Sequence, residues 1–348
     1  MSDAVKRVYL KWVEYHIPRF FHRGRLLPVL YYSLMSPAFR RELRAVMAGK
    51  IRHLDQTHRN DGNRYLLVRN THRLEKGLIM RPRRAVFATD FIEETVAAYD
   101  TLVHETDPRP DQQIRWFTDV LHSYFDVADP THPVIARSKT CFESALQDSA
   151  VMSPSGTRVP YLRIEQPSAG VSFEAFHQLT RQRKSVRWFR HEAVPRHLID
   201  QALLAAGLAP SACNRQPYVF RIFDDPAKVA ELAAIPMGTR GFAHNIPMFV
   251  VIVGQLDAYF DERDRHVMYV DGSLAAMTFM LALETLGLSS CPINWPDIES
   301  RERRMDAALN LNPHERPILC MAVGYADPDG MVAFSEKRPI DQVRAYNA

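Results

Sequence analysis

RKSVRWF, Arg183 to Phe189, and PSACNRQPYVF, Pro210 to Phe220, stand either side of one amphipathic stretch, and their joint reading decides the fold. From Arg181 to Arg187 the chain carries four positive side chains and one serine with no carboxylate among them. Guanidinium groups grip a phosphate monoester in pairs, and a hydroxyl adds a neutral donor. The same cluster, taken alone, equally suits a solvated basic helix end favoured by its dipole. In the second stretch the prolines impose a loop, and Asn214 and Gln216 present primary amides two residues apart. An amide, with two donors and an acceptor, suits a ring edge of alternating C=O and N–H groups, although both residues are common in plain loops.

Outward from these motifs, the segment after Gly170 alternates helices and strands. VSFEAFHQLTRQR predicts a helix that delivers the first motif at its C-terminal end, and Pro195 opens VPRHLIDQALLAAGLAPSA, which Gly207 and Pro210 stop. YVFRIF, PMFVVIVG and PILCMAVGY read as strands, the latter two buried. Asp271 is expected to N-cap the apolar helix GSLAAMTFMLALETLGL, ended by Gly287. Before about Ala150 the pattern is helical instead. Asn63 to Leu78 places Leu67, Thr71, Leu74 and Leu78 on one face, and Asp90 to Val103 is a second helix. The Pro-, Ser- and Gly-rich run from Asp148 to Gly170 predicts a connection, so the chain divides into residues 1–170 and 171–348. No GxGxxG follows a strand and no GxxxxGK[ST] occurs, so any phosphate must be held by side chains.

Composition sets the remaining bounds. The chain has 348 residues, 46% hydrophobic and 24% charged, as expected of a globular protein of about two domains. Four cysteines without CxxC spacing argue against a disulfide framework or a metal site, and a reducing cytoplasm is the expected compartment. No leader pattern is read at the start, and LLPVLYYSLM, Leu26 to Met35, falls short of the ~20 residues that span a bilayer. The net charge of +4 hides an asymmetry: Met1 to Leu54 holds 11 Lys and Arg against 3 Asp and Glu, leaving the remainder at −4. Val5, Val8, Tyr9, Trp12 and Val13 recur at helical spacing beside Lys6, Arg7 and Lys11. Such a helix can rest on an anionic membrane or a protein partner, or pack its aromatic stripe on its own domain. No nucleic-acid partner is expected. In NTHRLEKGLIM, His72 and Glu75 stand one turn apart and read as fold support or a lid, and Asp261 to Arg265 reads as a solvated turn.

The two opening motifs resemble the RRSxRxF-like and PSxxNxQPWxF-like signatures of the nitroreductase superfamily of flavin-dependent oxidoreductases. DGSLAAMTFMLALETLGLSSCPINW is similar to that family's long buried helix and following segment, and VGYADP…SEKRPIDQV to its closing strand and basic tail. The resemblance covers about Val171 to Val343. It implies an α+β sandwich with a central, mostly antiparallel sheet flanked by helices, here preceded by a mainly helical N-terminal domain. It further implies a homodimer that binds FMN at the subunit interface, reduced in ping-pong fashion by NAD(P)H before a small-molecule acceptor enters the same pocket. On this resemblance Arg183, Lys184 and Ser185 hold phosphate and ribityl oxygens, and Arg187 lies near flavin N1 and O2. Pro210, Ser211, Asn214 and Gln216 form the loop that reaches the flavin, usually from the opposing subunit. Pro292, Ile293 and Asn294 run along the ring, Lys337 and Arg338 complete the phosphate site, and Trp295 narrows the substrate face. Arg187 and Asn294 are the expected catalytic positions. A flavin-binding scaffold or sensor, or a substrate-specific flavin dehydrogenase, would use the same motifs.

Overall fold

A computed structural model describes residues 13, 15–59, 63–104, 112–148 and 157–347. The expected amphipathic helix at Val5 to Val13 therefore lies outside the described residues except for Val13. The first unit is helical: α1 (Arg40–Arg59), α2 (Arg64–Leu78), α3 (Ile92–His104), α4 (Gln112–Val127) and α5 (Pro133–Asp148). Asn63 caps α2 by accepting from the Leu66 N–H, which satisfies one of the orphan donors of the first turn. Leu67, Thr71 and Leu74 are buried on the face their spacing predicts, and α2 to α5 enclose a core of their own around Tyr99, Phe117 and Tyr124.

The second unit begins with α6 (Phe173–Gln182), capped by Ser172, and α7 (Arg196–Ala206). Then follow β1 (Tyr218–Phe223), α8 (Pro226–Ala233), β2 (Met248–Gln255), α9 (Val267–Thr285), β3 (Ser289–Asn294), α10 (Glu299–Leu309) and β4 (Glu315–Gly324). The strands form one antiparallel sheet in the order β1-β2-β4-β3. Phe249, Val251, Cys320 and Ala322 face a layer containing α8 and α10, while Met248, Val250, Met321 and Val323 face α7 and α9. A continuous apolar run is what a strand covered on both faces requires, and every residue of β2 is buried. This is the α+β arrangement, a central antiparallel sheet flanked by helices, that the resemblance implies.

Two elements differ from the sequence reading. The helix expected to start at Asp271 starts a turn earlier at Val267, because Asp271 is buried with its carboxylate turned to a neighbouring loop instead of capping its own helix. Helix α1, although within the first 170 residues, packs on the second unit: Ala45 joins Leu256, Ala258, Tyr259 and Met268 in one cluster. Gly49 allows this approach, since a Cβ there would lie 2.5 Å from the Leu256 carbonyl carbon. Around that contact Lys50 bridges Glu262 at 2.8 Å, Arg52 bridges Asp257 at 2.9 Å, and the His53 Nδ1–H donates to the Asp257 carbonyl. The charged turn at Asp261 to Arg265 is thus a docking point for α1.

Candidate flavin-binding site

Helix α6 ends at Gln182, and the chain leaves it extended through the first motif. Ser185 forms a parallel bridge with Ser290, and the Val186 N–H donates to the Ser290 carbonyl at 3.0 Å, so the motif prolongs the sheet beyond its β3 edge. Two residues that carried no signal in the sequence hold it there. Asn245 brackets Phe189 with its side-chain amide, accepting from the backbone N–H at 2.6 Å and donating to the carbonyl at 3.0 Å. Gly324, at the end of β4, leaves room for the Phe189 ring, which a Cβ would meet at 2.8 Å.

Arg181, Arg183, Lys184, Ser185 and Arg187 line one cavity of about 360 Å³, and Lys337 reaches it from the C-terminal segment more than a hundred residues later. His177, Thr180, Ala333, Phe334 and Ser335 complete the lining, which among the described residues contains no carboxylate. Arg183 Nε and Ser290 Oγ are buried without a hydrogen-bond partner. Removing a polar N–H from water without an acceptor costs about 1–3 kcal/mol, and more for a charged group, so the orphaned Arg183 Nε at the cavity marks a place suited to an anionic, oxygen-rich ligand. The donor set fits the phosphoryl end of FMN. Arg338 is exposed and does not line this cavity.

The positive field reaches neighbouring groups. Burial pushes the Cys291 thiol up, with Arg187 and Arg183 pulling against it, and burial raises the Glu284 carboxyl against the hydrogen bond from Gln182 and the charge of Arg183. Cys291 is therefore a protonated packing residue near neutral pH. Beside it in β3, Pro292 is half-buried, Ile293 is buried in the core, and Asn294 is exposed at the strand end. Trp295 lies elsewhere than expected: it is buried in the α8/α10 core layer, where its indole N–H donates to Glu302 at 2.8 Å. Glu302 in turn accepts from the buried Arg316, so Trp295 belongs to a structural network and not to a substrate face.

The second motif is built from different anchors. Ser211 Oγ donates to Asp271 at 2.6 Å, the Ala212 N–H donates to the same oxygen at 3.0 Å, and the Gln216 N–H donates to Ser211 Oγ. These bonds hold a tight turn in which Cys213, Asn214 and Gln216 all have φ near +50°, a conformation costly for residues other than glycine. The Gln216 amide donates to Asn214 Oδ1 at 3.1 Å, which keeps the two amides together. Helix α2 of the first unit packs against this loop. Pro210, preceding it, is exposed.

The structure does not bring the two motifs together within one chain. Tyr218, which follows the loop, pairs with Gly254 on β2, whereas Ser290, which holds Ser185, pairs with Val323, itself opposite Met248. The motifs thus sit at opposite edges and opposite ends of the sheet, roughly 20 Å apart along the strands and about 19 Å across them, since Ser185 lies one strand spacing beyond β3.

A family model described as the nitroreductase family matches residues 180–239 and 234–325, the stretch from the first motif to the end of β4. This part of the chain is a nitroreductase-family domain. Among curated proteins the chain is similar to iodotyrosine deiodinase 1 of Homo sapiens, 24% identical over 201 residues, which cover 49% of this chain and 68% of the relative. It is also similar to an NADH dehydrogenase of Thermus thermophilus, 28% identical over 193 residues, 47% of this chain and 91% of the relative. Among solved structures, an FMN-dependent nitroreductase from Clostridium difficile R20291 aligns with a TM-score of 0.42 and 24% identity over 49% of this chain and 98% of the other.

Proposed function

We propose that the protein is an FMN-dependent oxidoreductase, reduced by NADH or NADPH and reoxidised by an organic acceptor in the same pocket, with that pocket completed between two copies of the chain. The observation that carries this reading is the cavity in which five cationic side chains converge without a carboxylate around the buried, unpartnered Arg183 Nε. Arg183, Lys184, Ser185 and Lys337 would hold the phosphate and ribityl oxygens. The bound flavin supplies reversible hydride acceptance at N5. Arg187 would place a fixed positive charge where the reduced ring accumulates negative charge, which stabilises that state and the transition state leading to it.

The separation of the motifs supports a shared site. Asn214 and Gln216 cannot reach the cavity of their own chain across the sheet, so a second copy would supply these amides to the ring edge. Helix α9 offers a surface for it: Val270, Leu274 and Met277 recur at helical spacing and are 57%, 42% and 39% exposed. An apolar stripe bare on an otherwise buried helix is a frequent mark of a subunit contact. The likeness to deiodinases favours a substrate-specific acceptor, so halogenated phenols belong in the assay beside quinones and nitroaromatics.

The test is anaerobic titration of purified protein with each nicotinamide. Yellow protein that bleaches within a turnover time and regains colour with an organic acceptor is expected. Yellow protein that neither nicotinamide reduces would instead indicate a flavin-binding scaffold.

A further inference from the structure

Residues ahead of α1 form a surface that the oxidoreductase reading does not use. Residues 15–21 are helical, followed by a single turn at Leu27–Leu30 that runs into a π-helical turn at Tyr31–Met35. A chain of ring contacts, Phe20 to Phe21, Phe21 to Tyr31, Tyr31 to Tyr32 and Tyr32 to Phe39, folds these turns on one another with centroids 4.6–5.4 Å apart. Leu26 and Leu34 nevertheless remain 76% exposed, and Val29, Leu30 and Met35 are exposed with them. The surface continues onto α1. Its inward face, Ala45, Gly49 and His53, is buried, whereas Leu43, Met47, Ile51 and Leu54 form an exposed apolar stripe along its length.

The charge on this strip is one-sided. From Tyr15 to Arg40 the sequence holds four arginines and no Asp or Glu, and Arg41, next in line, is paired with Glu299 and Asp306 of the second unit. A two-fold contact between copies would set this basic strip against itself, which opposes self-pairing. The apolar run of Leu26 to Met35 is too short for a ~30 Å hydrocarbon core yet suits shallow insertion, with tyrosines at headgroup level and arginine stems lying along the surface. We infer that residues 15–54 form a peripheral membrane-binding surface for bilayers rich in anionic lipid. Leu26, Val29, Leu30 and Leu34 enter the boundary between headgroups and acyl chains, and Arg19, Arg23 and Arg25 meet the lipid phosphates.

Flotation of the full chain with phosphatidylcholine vesicles, with and without phosphatidylglycerol, tests this. Binding is expected only to the anionic vesicles, and 1 M salt, where the screening length falls to ~3 Å, should release most of the protein. Arg19→Ala, Arg23→Ala and Arg25→Ala combined should weaken binding about a hundredfold. Leu26→Glu with Leu34→Glu should abolish it, and both substitutions alter exposed side chains, so far-ultraviolet circular dichroism should be unchanged. Equal partition into both kinds of vesicle, or binding indifferent to these substitutions, would overturn the inference. So would protein that ignores vesicles while Leu34→Glu lowers its oligomeric mass, which would assign the strip to a second copy of the chain.

Discussion

Arg183 brings a guanidinium Nε into the protein without giving it an acceptor, at the wall of a cavity that Arg181, Lys184, Arg187 and Lys337 also face. Like charges crowded in this way destabilise the empty protein, and an anion reverses the sign of the interaction. Arg183→Ala is therefore expected to weaken FMN binding by about 10- to 100-fold, the worth of one or two charge-assisted hydrogen bonds, measured by fluorescence titration of apoprotein. Arg187→Ala should act differently, slowing anaerobic flavin reduction by about a hundredfold while weakening binding less. Equal effects of the two substitutions on both measurements would remove the division of roles. The cationic cluster was legible in the sequence because four positive charges without a carboxylate are conspicuous at any spacing. Asn245, Ser290 and the loop-anchoring role of Asp271 were not. Each is a single ordinary polar residue that acquires meaning only from what folding sets against it. Trp295 shows the converse: its position suggested a substrate face, but Glu302 gives its indole a buried partner.

At the scale of elements, β1, β2 and β4 announced themselves by β-branched and aromatic runs, while Ser289 to Asn294 did not. SSCPIN has one β-branched residue and a proline, and it is a strand because β4 supplies its hydrogen-bonding partner at the sheet edge. Helix α1 was equally hidden, since periodicity shows that a face will be buried without saying against what. Its docking is sensitive to volume at Gly49. Gly49→Val should push α1 from Leu256 and destabilise the chain by about 1–3 kcal/mol in denaturant melts, the usual cost of overpacking. Its docking also responds to pH. Arg41 bridges α1 to Glu299 at 2.8 Å and to Asp306 on α10, and the Arg41 hydrogen bond, helped by one from Arg303, holds the Glu299 carboxyl down to about 2. A depressed folded-state value means stabilisation that is present above the unfolded carboxyl's value, about 4.5, and is lost as pH falls towards 2. Glu299 is half-exposed, so solvent screening limits the share to about 1 kcal/mol or less. The stability gap between the native chain and Glu299→Gln should accordingly be largest near neutral pH and close between about pH 4.5 and 2.

Across the whole molecule, the order of motifs along the chain carried the family, and the sheet topology explains why it could not tell where the two motifs lie relative to each other. The sequence does not show that β1 and β3 are opposite edges, and this is what separates Asn214 and Gln216 from Arg183 and Ser185. Helix α9 makes the same point about composition. The stretch Glu262–Thr285 is long and apolar enough to cross a membrane, yet Phe279 and Leu283 are fully buried against the sheet while Val270, Leu274 and Met277 stay bare. The inward face of this helix is accounted for by the sheet of its own chain, and the proposed partner subunit would account for the other. Leu274→Glu separates these roles, since the side chain is 42% exposed in the single chain and a carboxylate there leaves the inward face intact. In a two-fold assembly the substitution would place two carboxylates near the contact, and several kcal/mol of desolvation and repulsion would favour monomers. Sedimentation should then show a folded species of about 40 kDa, and flavin should be lost with the partner's amides even though every cationic residue of the cavity remains. A monomer that keeps its flavin with undiminished affinity would mean that one chain suffices for binding, and the loop at Asn214 would need another role.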